Sequence, residues 1–411
     1  MQLGYLTQLS CKLEVKDSAD KIFIAIQIMK CPIRMGIPEK IKEIQDQIHR
    51  TQINKATEFH IGLLKAKIAR LKREMQDNVH GKTMHSGGEN VGFDVRKAGD
   101  ATIVLIGLPS VGKSTLLNSL TNAKSRVASY QFTTLTAVPG MLHYRGAKIQ
   151  VLDLPGIIEG ASSGKGFGKR VLSVARSADL VLIILDVFQP HHLGVLKKEL
   201  AEAGIRLDEQ PPNIVVEKTS TGGLSVNAQV PIKASERLIK EIMRVYGLHN
   251  GRLIIREPNL TDDQLIDVLN GNRIYVPSLI VLNKIDLVNP SFVQDIKSRV
   301  GGNDTNFIAV SADAGINIDF LKEAIYQRLG FIRIYMRPKG GETDYKEPLI
   351  IKNGATVQDV CNKIHRNMAK NYRYGLVWGK SAKFAGQKVG LDHKLADEDV
   401  ITIVKVSGTS T

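Results

Sequence analysis

Apolar residues recur along the chain with more than one period, and the changes of period lay out most of its elements. Over 38–75 the apolar positions Ile41, Ile44, Ile48, Ile61, Leu64, Ile68 and Leu71 fall at helical intervals around a polar break at 51–57, which predicts two antiparallel helices. Apolar runs then take over at 103–106, 180–185, 279–282 and 307–310, with another at 149–152 broken only by Gln150, as buried parallel strands require. Helical spacing returns at Leu116, Leu117 and Leu120, over 193–203, and at Ile318, Leu321 and Ile325. Alternating strands and helices of this kind predict an α/β domain over 100–330. It is interrupted over 204–275 by short strands (214–216, 224–226, 253–255) and helices (234–246, 262–269), a small α+β insert. The stretch 331–411 carries strands at 349–351, 376–378 and 400–404, with a helix capped by Thr356 and running to 368, which predicts a separate small mixed domain. Residues 81–92 (GKTMHSGGENVG) are glycine-rich and polar, so 81–99 is expected to be a linker. Residues 1–34 show no clear period and Met35 opens a fresh pattern, so they are expected to be an extension of unclear role.

Composition narrows the class. With 43% hydrophobic and 24% charged residues the 411-residue chain is globular, and long enough for several domains. Three widely spaced cysteines (Cys11, Cys31, Cys361) form neither a disulfide framework nor a zinc site, which fits a reducing, cytoplasmic setting. The early apolar run 22–29 is too short to span a bilayer, and no membrane association is expected. A net charge of +15 points instead to a polyanionic partner. Lys65, Lys67, Arg70, Lys72 and Arg73 crowd the second helix, as a nucleic-acid contact, a partner-binding arm or a plain solvated face. Residues 331–411 hold 14 Lys/Arg against 8 Asp/Glu, a net of +6. There Trp378 stands near Tyr372, Tyr374, Lys380 and Lys383, a mixture that suits RNA stacking, although a tryptophan packed in a small core is as good a reading. No DNA partner is expected.

Chemistry concentrates at the ends of the strands. The run ATIVLIGLPSVGKST (101–115) is a strand, a glycine loop with the spacing Gly107-x4-Gly112-Lys113-Ser114, and the start of a helix. Such a loop closes backbone N–H groups around a phosphate and aims a helix N-terminus at it. Gly107, Pro109, Ser110, Val111, Gly112 and Thr115 are therefore expected to line the phosphates, with Lys113 reaching the β- and γ-phosphates and Ser114 holding Mg²⁺.

Three further motifs follow in order. Within YQFTTLT (130–136), Thr134 is the expected switch residue on Mg²⁺ and the γ-phosphate, with Thr133 the neighbouring option and Phe132 beside it. The strand at 149–152 ends in Asp153-Leu154-Pro155-Gly156, a carboxylate for the metal shell and a glycine whose N–H approaches the γ-phosphate. The strand at 279–282 ends in Asn283-Lys284-Ile285-Asp286, where Asn283 and Lys284 are expected to brace the base and the phosphate loop and Asp286 accepts from both N1–H and the N2 amino group of guanine, a donor pair that adenine lacks. Ser311-Ala312, after the strand at 307–310, matches the loop whose backbone reads guanine O6. Lys113, Thr134 and Gly156 are the expected catalytic set, and Ser114, Thr134 and Asp153 the expected metal ligands. Ile157 stands where Ras-like GTPases place the glutamine that orients water, so slow intrinsic hydrolysis is expected.

These motifs predict a Mg²⁺-dependent GTPase. The competing class is an RNA or ribosome adaptor in which GTP binding is structural and turnover negligible.

Residues 35–406 resemble the developmentally regulated GTP-binding (DRG) proteins of the Obg-related GTPases. The resemblance is carried by RTQINKATEFHIGLLKAKIARL, GLPSVGKST, FTTLTAVPG, DLPGIIEGA, NKID and YGLVWGKSAK. The runs MGIPEKIKEIQDQI and VCNKIHRN resemble the second eukaryotic branch more than the first. The resemblance implies a helical hairpin at 35–80 and a P-loop GTPase domain. It also implies an inserted α+β domain like the second domain of ribosomal protein S5, and a C-terminal β-grasp TGS domain over 331–411. It further implies ribosome association, a role in translation and a cytosolic regulatory partner of the DRG type. Some relatives respond to potassium through a P-loop asparagine, and Ser110 at that position leaves potassium dependence open here.

Overall fold

In the computed structural model the helical period at the start resolves into α1 (Ile37–Arg50) and α2 (Glu58–Gly81). The structure describes residues 36–52, 54, 57–81, 98–121, 138–154, 174–232, 234–300, 306–365 and 367–405. Pro38 in the first turn and the Glu39 carboxylate, which accepts from the Gly36 N–H at 3.0 Å, start α1. The two helices pack on each other, and Ile41, Ile61 and Leu64 are among their buried positions.

The chain then runs through β1 (Ala101–Ile106), α3 (Lys113–Thr121), β2 (Val138–Tyr144), β3 (Ala147–Asp153), β4 (Leu180–Asp186), α4 (His192–Glu202) and β5 (Ile205–Leu207). Next come β6 (Ile214–Lys218), β7 (Leu224–Ala228), α5 (Glu236–Val245), β8 (Gly251–Ile255) and α6 (Asp262–Asn270). β9 (Ile274–Val276), β10 (Ser278–Asn283), α7 (Pro290–Val300), β11 (Phe307–Ala309) and α8 (Ile318–Leu329) follow. The C-terminal part holds β12 (Phe331–Met336), β13 (Asp344–Lys352), α9 (Val357–Ile364), β14 (Tyr372–Trp378), β15 (Gln387–Val389) and β16 (Asp399–Lys405).

Contacts divide the chain into two units, residues 1–89 with 212–271 and residues 90–211 with 272–411. In the second unit a six-stranded sheet has the order β11-β10-β4-β1-β3-β2, parallel except for the β2–β3 hairpin. Its interior strands are apolar on both faces because helices cover both. Val104, Ile106, Ile183 and Leu282 face α4 and α7, while Ile103, Leu105, Ile184 and Val281 face α3 and α8. All the strand-end motifs therefore arrive along one edge of the sheet, at its C-terminal ends.

The same unit includes a mixed sheet of order β13-β12-β16-β14-β15, which grips α9 through Ile334, Val377, Ile401, Val357 and Val360. The helix that begins after Thr356 ends at Ile364 rather than 368, where His365 turns extended (φ −161°).

In the first unit β6-β8-β7 form a small sheet covered by α5, α6 and α2, with Ala66, Ile239, Ile242, Met243 and Leu253 in its core. Ser235 caps α5 and Thr261 with Gln264 forms a capping box on α6. The helical pair and the insert residues 212–271 fall in the same unit. β5 and β9 pair with each other in parallel as a separate two-stranded sheet and fall in the second unit. Among the described residues, no helix is long and apolar enough to cross a membrane.

Candidate functional site

The loop after β1 is shaped by two close approaches. A Cβ on Gly107 would lie 2.7 Å from the Ile184 carbonyl oxygen of β4. One on Gly112, at φ +90°, would lie 2.4 Å from Asn283 Nδ2. Both positions exclude a side chain. Between them Pro109 and Ser110 are exposed, Ser110 sits in the left-handed region (φ 65°), and Val111 is buried. Leu116 N–H donates to the Gly112 carbonyl at 2.9 Å and starts α3, whose leading N–H groups have no partner within the helix. Those groups and the helix dipole make this end of α3 an anion seat.

Lys113 folds back over the loop, its Nζ donating to the carbonyls of Gly107 (3.2 Å) and Leu108 (2.9 Å). Burial pushes its pKa down, opposed by the charge of Asp153. A buried ammonium whose hydrogen bonds go to two carbonyls gains from a phosphate arriving beside it.

The Ser114 hydroxyl donates directly to Asp153 Oδ2. Asp153 closes β3 beside Leu105 of β1 and is 8% exposed. Its second oxygen, Oδ1, is buried and has no hydrogen-bond partner among the described residues. Burying an unpartnered carboxylate oxygen is costly. A hydroxyl and a carboxylate are hard oxygen donors, and the unpaired oxygen is what a divalent cation with its water shell would satisfy, so the donor set fits Mg²⁺. Phe132, Thr133, Thr134, Gly156 and Ile157 lie outside the described residues.

At the other end Asn283 ties three loops together. Its Nδ2 donates to the Val111 carbonyl (2.9 Å) and its Oδ1 accepts from the Ala312 N–H (3.0 Å), with the residue 2% exposed. Ser119 Oγ of α3 donates to the Ala312 carbonyl at 2.7 Å, and the buried Ser311 hydroxyl accepts from the Ala314 N–H at 3.1 Å. Lys284, in the left-handed region (φ 68°), reaches back to the Ser110 carbonyl at 3.0 Å. Asp286 lies exposed on a single 3₁₀ turn (Ile285–Leu287). Thr115 is exposed on α3, its carbonyl accepting from Ser119 Oγ at 2.9 Å. Apart from the residues outside the described set, the expected site residues converge on one edge. Sequence reasoning missed Ser119 and Asp186, whose Oδ2 lies 2.6 Å from Lys284 Nζ. The available signal for Asp186 was a carboxylate closing the otherwise apolar LVLIIL strand.

The expected RNA surfaces are partly spent on structure. On α2, Lys65 pairs with Asp263 at 3.0 Å, and Arg70 binds Glu74 (2.9 Å) and the Val245 carbonyl, tying the helix to the insert. Trp378 has the Arg337 guanidinium 4.9 Å from its ring centroid, and the Tyr372 hydroxyl donates to the Val389 carbonyl at 2.9 Å. Lys380, Lys383 and Phe384 are exposed in the turn between β14 and β15.

The sequence matches the family model described as 50S ribosome-binding GTPase over residues 102–218. It matches the C-terminal region of that GTPase domain model over 221–331, and the TGS domain over 332–405. An uncharacterized GTP-binding protein of Methanocaldococcus jannaschii is 52% identical over 371 residues, 90% of this chain and 93% of that protein. Developmentally-regulated GTP-binding protein 2 of Homo sapiens is 45% identical over 373 residues, 90% of this chain and all of that protein. The chain belongs to the developmentally regulated GTP-binding protein family. As a DRG protein it has a P-loop GTPase domain and a β-grasp TGS domain, the latter formed by β12–β16 and α9. Identity does not separate the DRG branches, since the Dictyostelium discoideum homologues of proteins 1 and 2 are 47% and 46% identical to this chain.

Proposed function

We propose that this DRG protein hydrolyses GTP to GDP and phosphate with Mg²⁺, and that its nucleotide state governs association with ribosomal RNA or tRNA during translation in the cytoplasm. The observation that carries the reading is Asp153, a buried carboxylate with one oxygen on Ser114 and the other unpaired among the described residues. In this reading the N-terminus of α3 and Lys113 bind the β- and γ-phosphates, and Ser114 and Asp153 hold the metal together with Thr134. Asn283 fixes the loops around the base, and Asp286 selects guanine. Mg²⁺, when bound, neutralises charge on the phosphate oxygens. Gly156 offers its N–H to the γ-phosphate. Ile157 cannot orient water, so turnover is slow until a partner supplies that group. A family regulatory protein and the ribosome are the proposed partners, the second supported by the description of the matching GTPase model.

Single-turnover hydrolysis with and without purified ribosomes tests this. Acceleration by ribosomes, or different ribosome affinity of the GTP and GDP forms, is the expected result. Neither effect would leave the adaptor reading.

A further inference from the structure

Asp186 carries none of the motif chemistry, yet it contacts a residue of one of the motifs, Lys284. It closes β4 opposite Asn283 of β10 in the parallel register. One carboxylate oxygen accepts from its own loop, Phe188 N–H at 2.9 Å, which fixes the rotation of the group. The other lies 2.6 Å from Lys284 Nζ, and the same ammonium donates to the Ser110 carbonyl at 3.0 Å. Lys284 and Ser110 both hold left-handed backbone conformations (φ 68° and 65°), which residues with side chains seldom adopt. The Asp186–Lys284–Ser110 chain thus ties the end of one strand, through the backbone-strained lysine, to the strained tip of the phosphate loop.

We propose that Asp186 is a positioning residue for guanine nucleotide, holding Lys284 across the phosphate loop before nucleotide arrives. This rests on the reading that the pocket takes guanine nucleotide. A lysine side chain loses much rotamer freedom when fixed. With Asp186 present that loss is met within the protein rather than on each binding event, and preorganisation of this kind appears as tighter binding and slower release. The Asp186 and Lys284 side chains are 14% and 33% exposed, so the pair is screened less than a surface ion pair.

Asp186→Asn keeps an acceptor for the Phe188 N–H and removes the charge facing Lys284. In stopped-flow displacement of a fluorescent GDP from the full chain, Asp186→Asn is expected to release GDP about tenfold faster, the equivalent of about 1.4 kcal/mol. The accompanying loss of kcat/KM is expected to lie in KM. Lys284→Met is expected to give a similar acceleration, and in that background Asp186→Asn is expected to add less than about twofold. Unchanged release in folded Asp186→Asn would overturn the proposal. So would the same tenfold effect in the Lys284→Met background, which would make Asp186 merely structural. If Asp186→Asn does not fold, Lys284→Met still decides, since release at the wild-type rate there leaves Asp186 nothing to position. Asp286→Ala in the same assay separates the two levels. If it leaves GDP binding intact, the pocket reading fails. If it weakens binding while Asp186→Asn does not, only the positioning role fails.

Discussion

A single methyl group at Gly112 probes how the phosphate loop is held. The residue sits at φ +90°, where an alanine is strained by about 1–3 kcal/mol. Its Cβ would also lie 2.4 Å from Asn283 Nδ2. Asn283 cannot yield freely, because its amide bridges Val111 and Ala312 at 2.9 and 3.0 Å in a buried setting. Displacing it leaves a buried polar group unpaired, at a cost of about 1–3 kcal/mol. Gly112→Ala is therefore expected to cost about 2–6 kcal/mol, shared between lost stability and a re-aimed loop. Gly330→Ala is the control, since Gly330 has φ +64° with open space around it. That substitution carries only the conformational term, about 1–2 kcal/mol. Thermal unfolding of the nucleotide-free protein and titration with labelled GDP give the readouts. The Gly112 variant is expected to melt below the Gly330 variant and to bind GDP on the order of 30-fold more weakly, the equivalent of about 2 kcal/mol. Equal melting temperatures together with unchanged GDP affinity would refute the loop geometry argued from Asn283.

Three further outcomes follow from the geometry. Chelating Mg²⁺ is expected to speed GDP release from the wild type, whereas Asp153→Asn is expected to release GDP fast with or without the metal; a variant still responding to Mg²⁺ like the wild type would remove Asp153 from the metal site. Arg70→Ala is expected to destabilise the unit of α2 and the insert by about 1 kcal/mol in urea unfolding, a figure reduced for its half-exposed side chain, and no measurable change would mean the bond to the Val245 carbonyl contributes nothing. Burial, with the neighbouring Cys361 adding to it, pushes the Tyr372 phenol up to about 12. The unfolded phenol loses its proton near 10 while the folded one keeps it. Stability therefore falls as pH climbs between those values, and Tyr372→Phe is expected to lack that part of the alkaline loss in unfolding titrations.

The interior strands were legible because a parallel sheet covered on both faces demands uninterrupted aliphatic runs, such as LVLIIL at 180–185. β2 escaped notice for the opposite reason. It is an edge strand that reads VPGMLHY, with a proline and a glycine tolerated only where pairing is one-sided. β5 and β9 are three residues each, too short to show a period in the sequence. That α2 belongs with the insert rests on contacts such as Lys65 with Asp263, nearly two hundred residues apart, which no local pattern encodes. The loop residues of the site were legible from spacing alone, because glycine at 107 and 112 answers to backbone geometry. Asp186 was not, since its role exists only once β4 and β10 lie side by side.

Guanine selection by Asp286 and phosphate binding by Lys113 carry the proposed function. Displacement of labelled GDP by unlabelled GTP and ATP, from the wild type and from Lys113→Ala and Asp286→Ala variants, tests it most directly. GTP is expected to displace the label where ATP fails even at about a thousandfold excess, since a site built to hydrogen-bond a substrate rejects the analogue lacking those groups by four orders of magnitude or more. Both variants are expected to lose guanine affinity. Displacement by ATP as readily as by GTP, or guanine binding untouched in the two variants, would contradict the account.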